Sequence, residues 1–133
     1  MTAKHLEFGR EGEAAAEAHL VAEGFVVVAR NYRARGGEVD LVCRDGDTVV
    51  FVEVKARGEG MRGRPEEAVT PAKRGRIVRA ASQFLSERDW WDRPCRFDVV
   101  AVEGRGGRLT VVHVADAFGL DEAGPAGGLY QPW

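Results

Sequence analysis

Residues 37–55, GEVDLVCRDGDTVVFVEVK, decide how this chain is read. Two β-branched, apolar runs, Glu38 to Arg44 and Thr48 to Ala56, flank Asp45-Gly46-Asp47, a strong short-range hairpin signal. A two-residue turn makes paired positions sum to 91 if Asp45-Gly46 is the turn and to 93 if Gly46-Asp47 is. In the first register Asp40 faces Phe51 and lies diagonal to Glu53; in the second it faces Glu53 directly. Either way the two carboxylates share a face. The two-residue period places Glu38, Asp40, Phe51, Glu53 and Lys55 on that face and Val39, Leu41, Cys43, Val50, Val52 and Val54 on the other, which is expected to be core.

Two carboxylates about 5 to 8 Å apart at Cβ can converge on one hard cation, and oxygen-only ligation suits Mg²⁺ or Mn²⁺. Lys55 emerges beside them, where an ammonium neutralises charge developing on a phosphate or orients an attacking water. On charge alone the same pattern is an ordinary hairpin with one dry and one wet face. Against that, Val42, Val49 and Phe51 lie on the supposedly wet face, which implies partial cover by a helix or loop and hence a cleft.

Working outward, Gly9 to Glu23 is rich in Ala and Glu, with Ala14, Ala18 and Val21 at helical spacing and Gly24 as its stop. Phe25 to Ala29 reads as a strand, closed by the loop Arg33 to Gly37. After the hairpin, Arg57 to Pro65 reads as a mobile basic loop. Thr70-Pro71 then supplies an N-cap and a first-turn proline for a helix to about Glu87, with Ile77, Val78, Ala81, Phe84 and Leu85 as its apolar stripe. Arg96 to Val102 and Leu109 to Val114 form a closing hairpin. The expected fold is a single α/β domain over residues 1–118, order α-β-β-β-α-β-β, with a poorly ordered Gly/Pro-rich tail over 119–133.

The chain has 133 residues and a formal charge of −2, but the charge is unevenly distributed. Residues 1–54 carry 6 Lys/Arg against 10 Asp/Glu, residues 55–79 carry 8 against 3, and residues 80–133 carry 5 against 8. A basic block in an acidic protein suits a face that meets phosphates, and Arg57, Arg62, Arg64, Lys73, Arg74 and Arg76 are its candidates for nucleic-acid contact. A solvated helix face would carry the same charges. No run of about 18 apolar residues and no signal peptide are visible, so a cytoplasmic location with no membrane partner is expected. Cys43 and Cys95 read as free thiols, and His5, His19 and His113 form no recognisable zinc pattern. Trp90-Trp91 suits a lid on the core or a subunit interface, and Asp98 a salt bridge within its strand, with Arg96 as one candidate partner.

Gly37-Glu38-Val39-Asp40, twelve residues, then Glu53-Val54-Lys55 resembles the PD-(D/E)xK signature of the restriction-endonuclease-like superfamily. More closely, with Gly9 to Ala14, Asn31 to Arg33, Phe51 to Lys55, Lys73 and Arg96 to Val100, the chain resembles the YraN family of bacterial predicted endonucleases over roughly Gly9 to Phe118. Val39 stands where the superfamily has proline, a residue that shapes backbone and binds no metal. The resemblance implies a restriction-endonuclease-like core, a mixed sheet flanked by helices, similar to archaeal Holliday-junction resolvases. It further implies a metal held by Asp40, Glu53 and the Val54 carbonyl, with Glu13 as the helix-borne carboxylate reaching the same metal or its water. The expected function is thus a Mg²⁺- or Mn²⁺-dependent endonuclease acting on DNA, branched or structured, with Asp40, Glu53, Lys55 and Glu13 as its catalytic set. The alternatives are a non-catalytic nucleic-acid-binding module on the same fold and a protein-interaction domain. Oligomeric state is open, a homodimer being the arrangement of junction-cleaving relatives in the superfamily.

Overall fold

The computed structural model describes the backbone of residues 2–58 and 63–119, and the side chains of these except 2–8 and Arg105. Arg62 and residues 120–133 of the expected tail lie outside the described residues. The order of elements is the expected one: α1 (Thr2–Ala22), β1 (Val26–Ala34), β2 (Gly37–Asp45), β3 (Thr48–Arg57), a short 3-10 turn (Pro65–Ala68), α2 (Pro71–Arg88), β4 (Cys95–Arg105) and β5 (Arg108–Phe118). The strands form one mixed sheet in the order β1-β2-β3-β4-β5, in which only β3 and β4 run parallel, joined through α2.

Helix α1 begins before Gly9, because a glycine lowers helix propensity without interrupting the hydrogen-bond ladder. It ends as its sequence indicates: Gly24 adopts φ 99°, and the N–H groups of Gly24 and Phe25 donate to the Val21 and Leu20 carbonyls at 3.0 Å, the paired bonds of a glycine-terminated helix. Strand β1 is longer than expected and runs through Asn31, held at φ 48°, to Ala34, which pairs with Gly37. The expected loop over Arg33 to Gly37 is therefore a tight turn at Arg35-Gly36. The next hairpin takes the second register: Asp45 pairs with Thr48 and Leu41 with Val52, so Gly46, at φ 61°, is the first residue of the turn, where positive φ is needed. Thr70 caps α2 through its Oγ1, which accepts the Lys73 N–H, and Pro71 opens the helix.

Both faces of the sheet are covered over its central strands. On one, α2 covers Val42, Val49, Phe51, Phe97 and Val99; on the other, α1 covers Leu41, Cys43, Val50, Val52, Val100 and Val102. The cover expected over Val42, Val49 and Phe51 is supplied by α2 and is more complete than the partial cover read from the sequence, since all three are fully buried. It also explains why Val49 to Val52 of β3 reads as an unbroken apolar run, as strands covered on both sides do. Val39 departs from its expected face: it packs beneath α2 with Val42, whereas Leu41 packs beneath α1. The strict alternation fails at the intervening Asp40, where pairing with β3 stops. Trp90 and Trp91 lie half-buried on the α2 cluster, with Trp90 edge-on to Phe84, which suits the reading of a lid on the core. Both cysteines are free, and burial pushes the Cys43 thiol up to about 12, which makes it unreactive. No helix among the described residues is long and apolar enough to cross a membrane.

The start of β2 is fixed against α2 by a missing side chain. A Cβ on Gly37 would collide with the Arg76 carbonyl oxygen, a backbone atom that moves only if the helix moves. Gly37→Ala is therefore expected to destabilise the fold by at least ~1–3 kcal/mol, read as a lower denaturation midpoint in urea, whereas Gly46→Asn at the solvent-facing turn should cost far less.

Candidate functional site

The site begins where the β2–β3 ladder ends. Beyond Leu41↔Val52 no further backbone pair joins the two strands, and the Val54 N–H donates instead to Asp40 Oδ2 at 2.7 Å. That bond fixes the Asp40 carboxylate at the fork between the strands. Glu53, one residue past the last pair, is only 5 % exposed. Its Oε1 is buried without a hydrogen-bond partner, and its Oε2 stands 3.6 Å from Lys73 Nζ. Burial first, and the neighbouring Asp40 charge second, push the Glu53 carboxyl up to about 8, against the opposing influence of Lys73 and Lys55.

Helix α1 supplies the third carboxylate. Glu13 is held above the usual carboxylate range, first by burial and then by the charge of Asp40. Asp40 therefore acts electrostatically on both Glu13 and Glu53. A cavity of about 210 Å³ opens between α1 and the fork, lined by Arg10, Glu13, Glu17, Arg30, Asp40 and Val54 among others. Glu17 and Arg30 form one wall through a bidentate pair at 2.6 and 2.8 Å. The structure thus brings Glu13, Asp40 and Val54 to one cavity, with Glu53 and the half-buried Lys55 next to it. Among the described residues, the three carboxylates do not come together as one tight cluster of donors.

The basic block divides. Lys73, a candidate for phosphate contact, reaches inward, its ammonium 3.6 Å from both Glu53 and Glu38. Glu38 in turn pairs with Arg76 and Arg33 as well as Lys73, and so bears on the site through Lys73. Arg57 is a correction: only 6 % exposed, its guanidinium is bonded to Glu103 and to the Gly63 carbonyl. Arg74 is another: it donates to the Val69 and Glu66 carbonyls and stacks over Phe118, tying the 3-10 turn to α2. Loop carbonyls leaving a sheet need donors, and composition does not reveal which arginines will serve them. Arg64 and Arg76 do face solvent, at 74 and 51 % exposure. Arg10 and Arg30 beside the cavity were missed by the sequence reading, because they fall in the net-acidic third of the chain. Asp98 is held by Arg96, as expected, and also by His113 and the Asp116 N–H.

The raised Glu53 carboxyl has a definite consequence for stability. Its proton is bound more tightly in the folded chain than in the unfolded one, so its stabilisation is full below pH 4.5 and is lost as pH rises through about 8. In EDTA, Glu53→Gln should leave the melting temperature near that of the parent chain at pH 5 and exceed it at pH 9, by on the order of 2–5 kcal/mol in unfolding free energy. Melting curves that stay parallel from pH 5 to 9 would refute the burial of an ionisable Glu53.

Comparison with known proteins agrees with this arrangement in extent. The family whose model matches, over residues 12–102, is described as "Uncharacterised protein family UPF0102". A UPF0102 protein of Nitratidesulfovibrio vulgaris (strain DP4) is 46% identical over 126 residues, 94% of this chain and 94% of that one. One from Anaeromyxobacter dehalogenans (strain 2CP-C) is 50% identical over 113 residues, 85% of this chain and 84% of that one. Another, from Symbiobacterium thermophilum, is 49% identical over 111 residues, covering 83% and 94%. The matched span runs from the turn of α1 that carries Glu13 to the buried end of β4, and so contains Asp40, Glu53, Val54 and Lys55. The chain belongs to the UPF0102 (YraN) family.

Proposed function

We propose that this chain is a Mg²⁺- or Mn²⁺-dependent endonuclease acting on DNA, with branched or structured DNA as the substrate class that the superfamily resemblance favours. The observation that carries the reading is the state of Glu53. A carboxylate 5 % exposed, beside a second carboxylate and with an unpartnered oxygen, is poorly served by the two lysines near it. A divalent cation would satisfy that oxygen and relieve the repulsion from Asp40. The donor set is all oxygen, which suits a hard ion.

Asp40, Glu53 and the Val54 carbonyl would hold the ion. When bound, it would polarise a phosphoryl oxygen and lower the pKa of coordinated water. The residues of the chain provide the rest. The Val54 N–H aims Asp40, and Glu13, whose proton affinity is raised first by burial and then by the Asp40 charge, would accept a proton from an attacking water. Lys55, on the face of Glu53, brings an ammonium to the charge that builds on the phosphate in the transition state. Lys73 stays on Glu53 and Glu38 and holds them in place. Exposed Arg30, Arg33, Arg64 and Arg76 would take the DNA backbone on either side.

Calorimetry with Mn²⁺ tests the site without a choice of substrate: one equivalent should bind the parent chain and be lost in Asp40→Asn and in Glu53→Gln. With structured DNA, Lys55→Ala should lower the cleavage rate about 10²–10³-fold while keeping Mn²⁺ affinity. Cleavage undiminished in Lys55→Ala would remove that residue from the mechanism. DNA binding that falls with salt yet ignores EDTA and Asp40→Asn, with no turnover, would assign the fold to binding alone.

A further inference from the structure

The fold brings together two histidines that the sequence keeps 94 residues apart, His19 on the last turn of α1 and His113 on β5, with ring centroids 6.3 Å apart. Glu23 lies between them. Its Oε1 is 3.4 Å from His19 Nε2 and 3.0 Å from His113 Nδ1, and the three donor atoms all fall within 4.8 Å of one another. Zinc–ligand bonds near 2.1 Å in a tetrahedron set neighbouring donors about 3.4 Å apart, so the His19–Glu23 edge at 3.4 Å already has that length and the Glu23–His113 edge at 3.0 Å is within a few tenths of an ångström of it.

The surroundings favour a cation as well. His113 Nε2 stands 2.7 Å from Asp98 Oδ2, and Asp98 is fully buried, fixed by the Arg96 guanidinium and the Asp116 N–H. A ring nitrogen held by a rigid carboxylate leaves the opposite nitrogen, Nδ1, oriented toward Glu23. This carboxylate–histidine relay is what orients and strengthens histidine ligands in metal centres. Phe25 packs edge-on against the His113 ring and limits its rotation. Only His113 is nearly buried, at 11 % exposure; His19 and Glu23, at 37 and 44 %, border solvent, which leaves the fourth position open to water. The end of a helix also carries negative potential from its unpaired carbonyls.

We propose that His19, Glu23 and His113 form a second metal site, taking a borderline first-row transition ion such as Zn²⁺ and joining the end of α1 to β5. Two imidazoles and one carboxylate select such an ion over Mg²⁺, in contrast to the oxygen-only donors at Asp40 and Glu53. The sites are separate: His19 lies six residues beyond Glu13 on α1, about 9 Å along its axis, and Glu23 follows just past the end of the helix. Bound metal would tether α1 to the edge strand β5 of the sheet.

The test uses the full chain with Zn²⁺, and with Co²⁺ as a coloured reporter. Zn²⁺ should bind with one equivalent at this site, raise the melting temperature, and keep doing so in the double variant Asp40→Asn, Glu53→Gln and in Cys95→Ser. His19→Ala and Glu23→Gln, both at half-exposed positions, should each weaken binding at least 10-fold and abolish the tetrahedral Co²⁺ bands without changing the melting temperature of the metal-free chain. Zn²⁺ affinity unchanged by His19→Ala, or no Zn²⁺-dependent rise in melting temperature of the parent chain, would overturn the proposal.

Discussion

The hydrogen bond from the Val54 N–H to Asp40 Oδ2 stands at the point on which the candidate site depends. Up to Leu41↔Val52 the two strands satisfy each other through backbone groups, and their side chains belong to one core or the other. Past that pair the strands part, and a side-chain oxygen occupies the place of a strand carbonyl. An unpaired N–H at such depth would cost as much as a lost hydrogen bond. Asp40 removes that cost and, in doing so, brings a negative charge next to Glu53. The raised proton affinities of Glu13 and Glu53 both have Asp40 among their causes.

Closing both faces of the sheet has a further effect. With α1 on one side and α2 on the other, the central strands carry no polar face, and the fork becomes a gap in an otherwise dry structure. Both helices send charged groups toward that gap, Glu13 among those from α1 and Lys73 from α2. Gly37 lets β2 start hard against the α2 backbone, so the distance between Lys73 and the carboxylates is set by packing rather than by the flexible lysine stem alone. Such support from the scaffold is what holds a polar site within the tolerance that chemistry needs.

The basic residues show that charge density in sequence and charge at a surface are different quantities. Arg57 and Arg74, from the most basic stretch, satisfy carbonyls and carboxylates around the 3-10 turn. Arg10 and Arg30, from the acidic third, flank the cavity. A guanidinium has five donors in a rigid fork, so wherever the chain leaves the sheet with unpaired carbonyls an arginine is readily drawn inward.

Local signals determined much of this protein. Gly24 stops α1, Thr70-Pro71 starts α2, and the alternation across residues 37–55 with its Asp-Gly-Asp turn places Asp40, Glu53 and Lys55 near one another in either register, since period and turn length are properties of neighbouring residues. The order of elements followed from the same signals. Tertiary structure decided the rest, because it depends on groups far apart in the chain. The break of alternation that turns Val39 from one core to the other, the burial that raises Glu53, the diversion of Arg57 and Arg74 to structural bonds, and the meeting of His19 with His113 all arise only when the helices close on the sheet. Spacing along a chain specifies which side chains share a face of one element; which element lies above that face, and so what each polar atom finds when water is excluded, is set by packing.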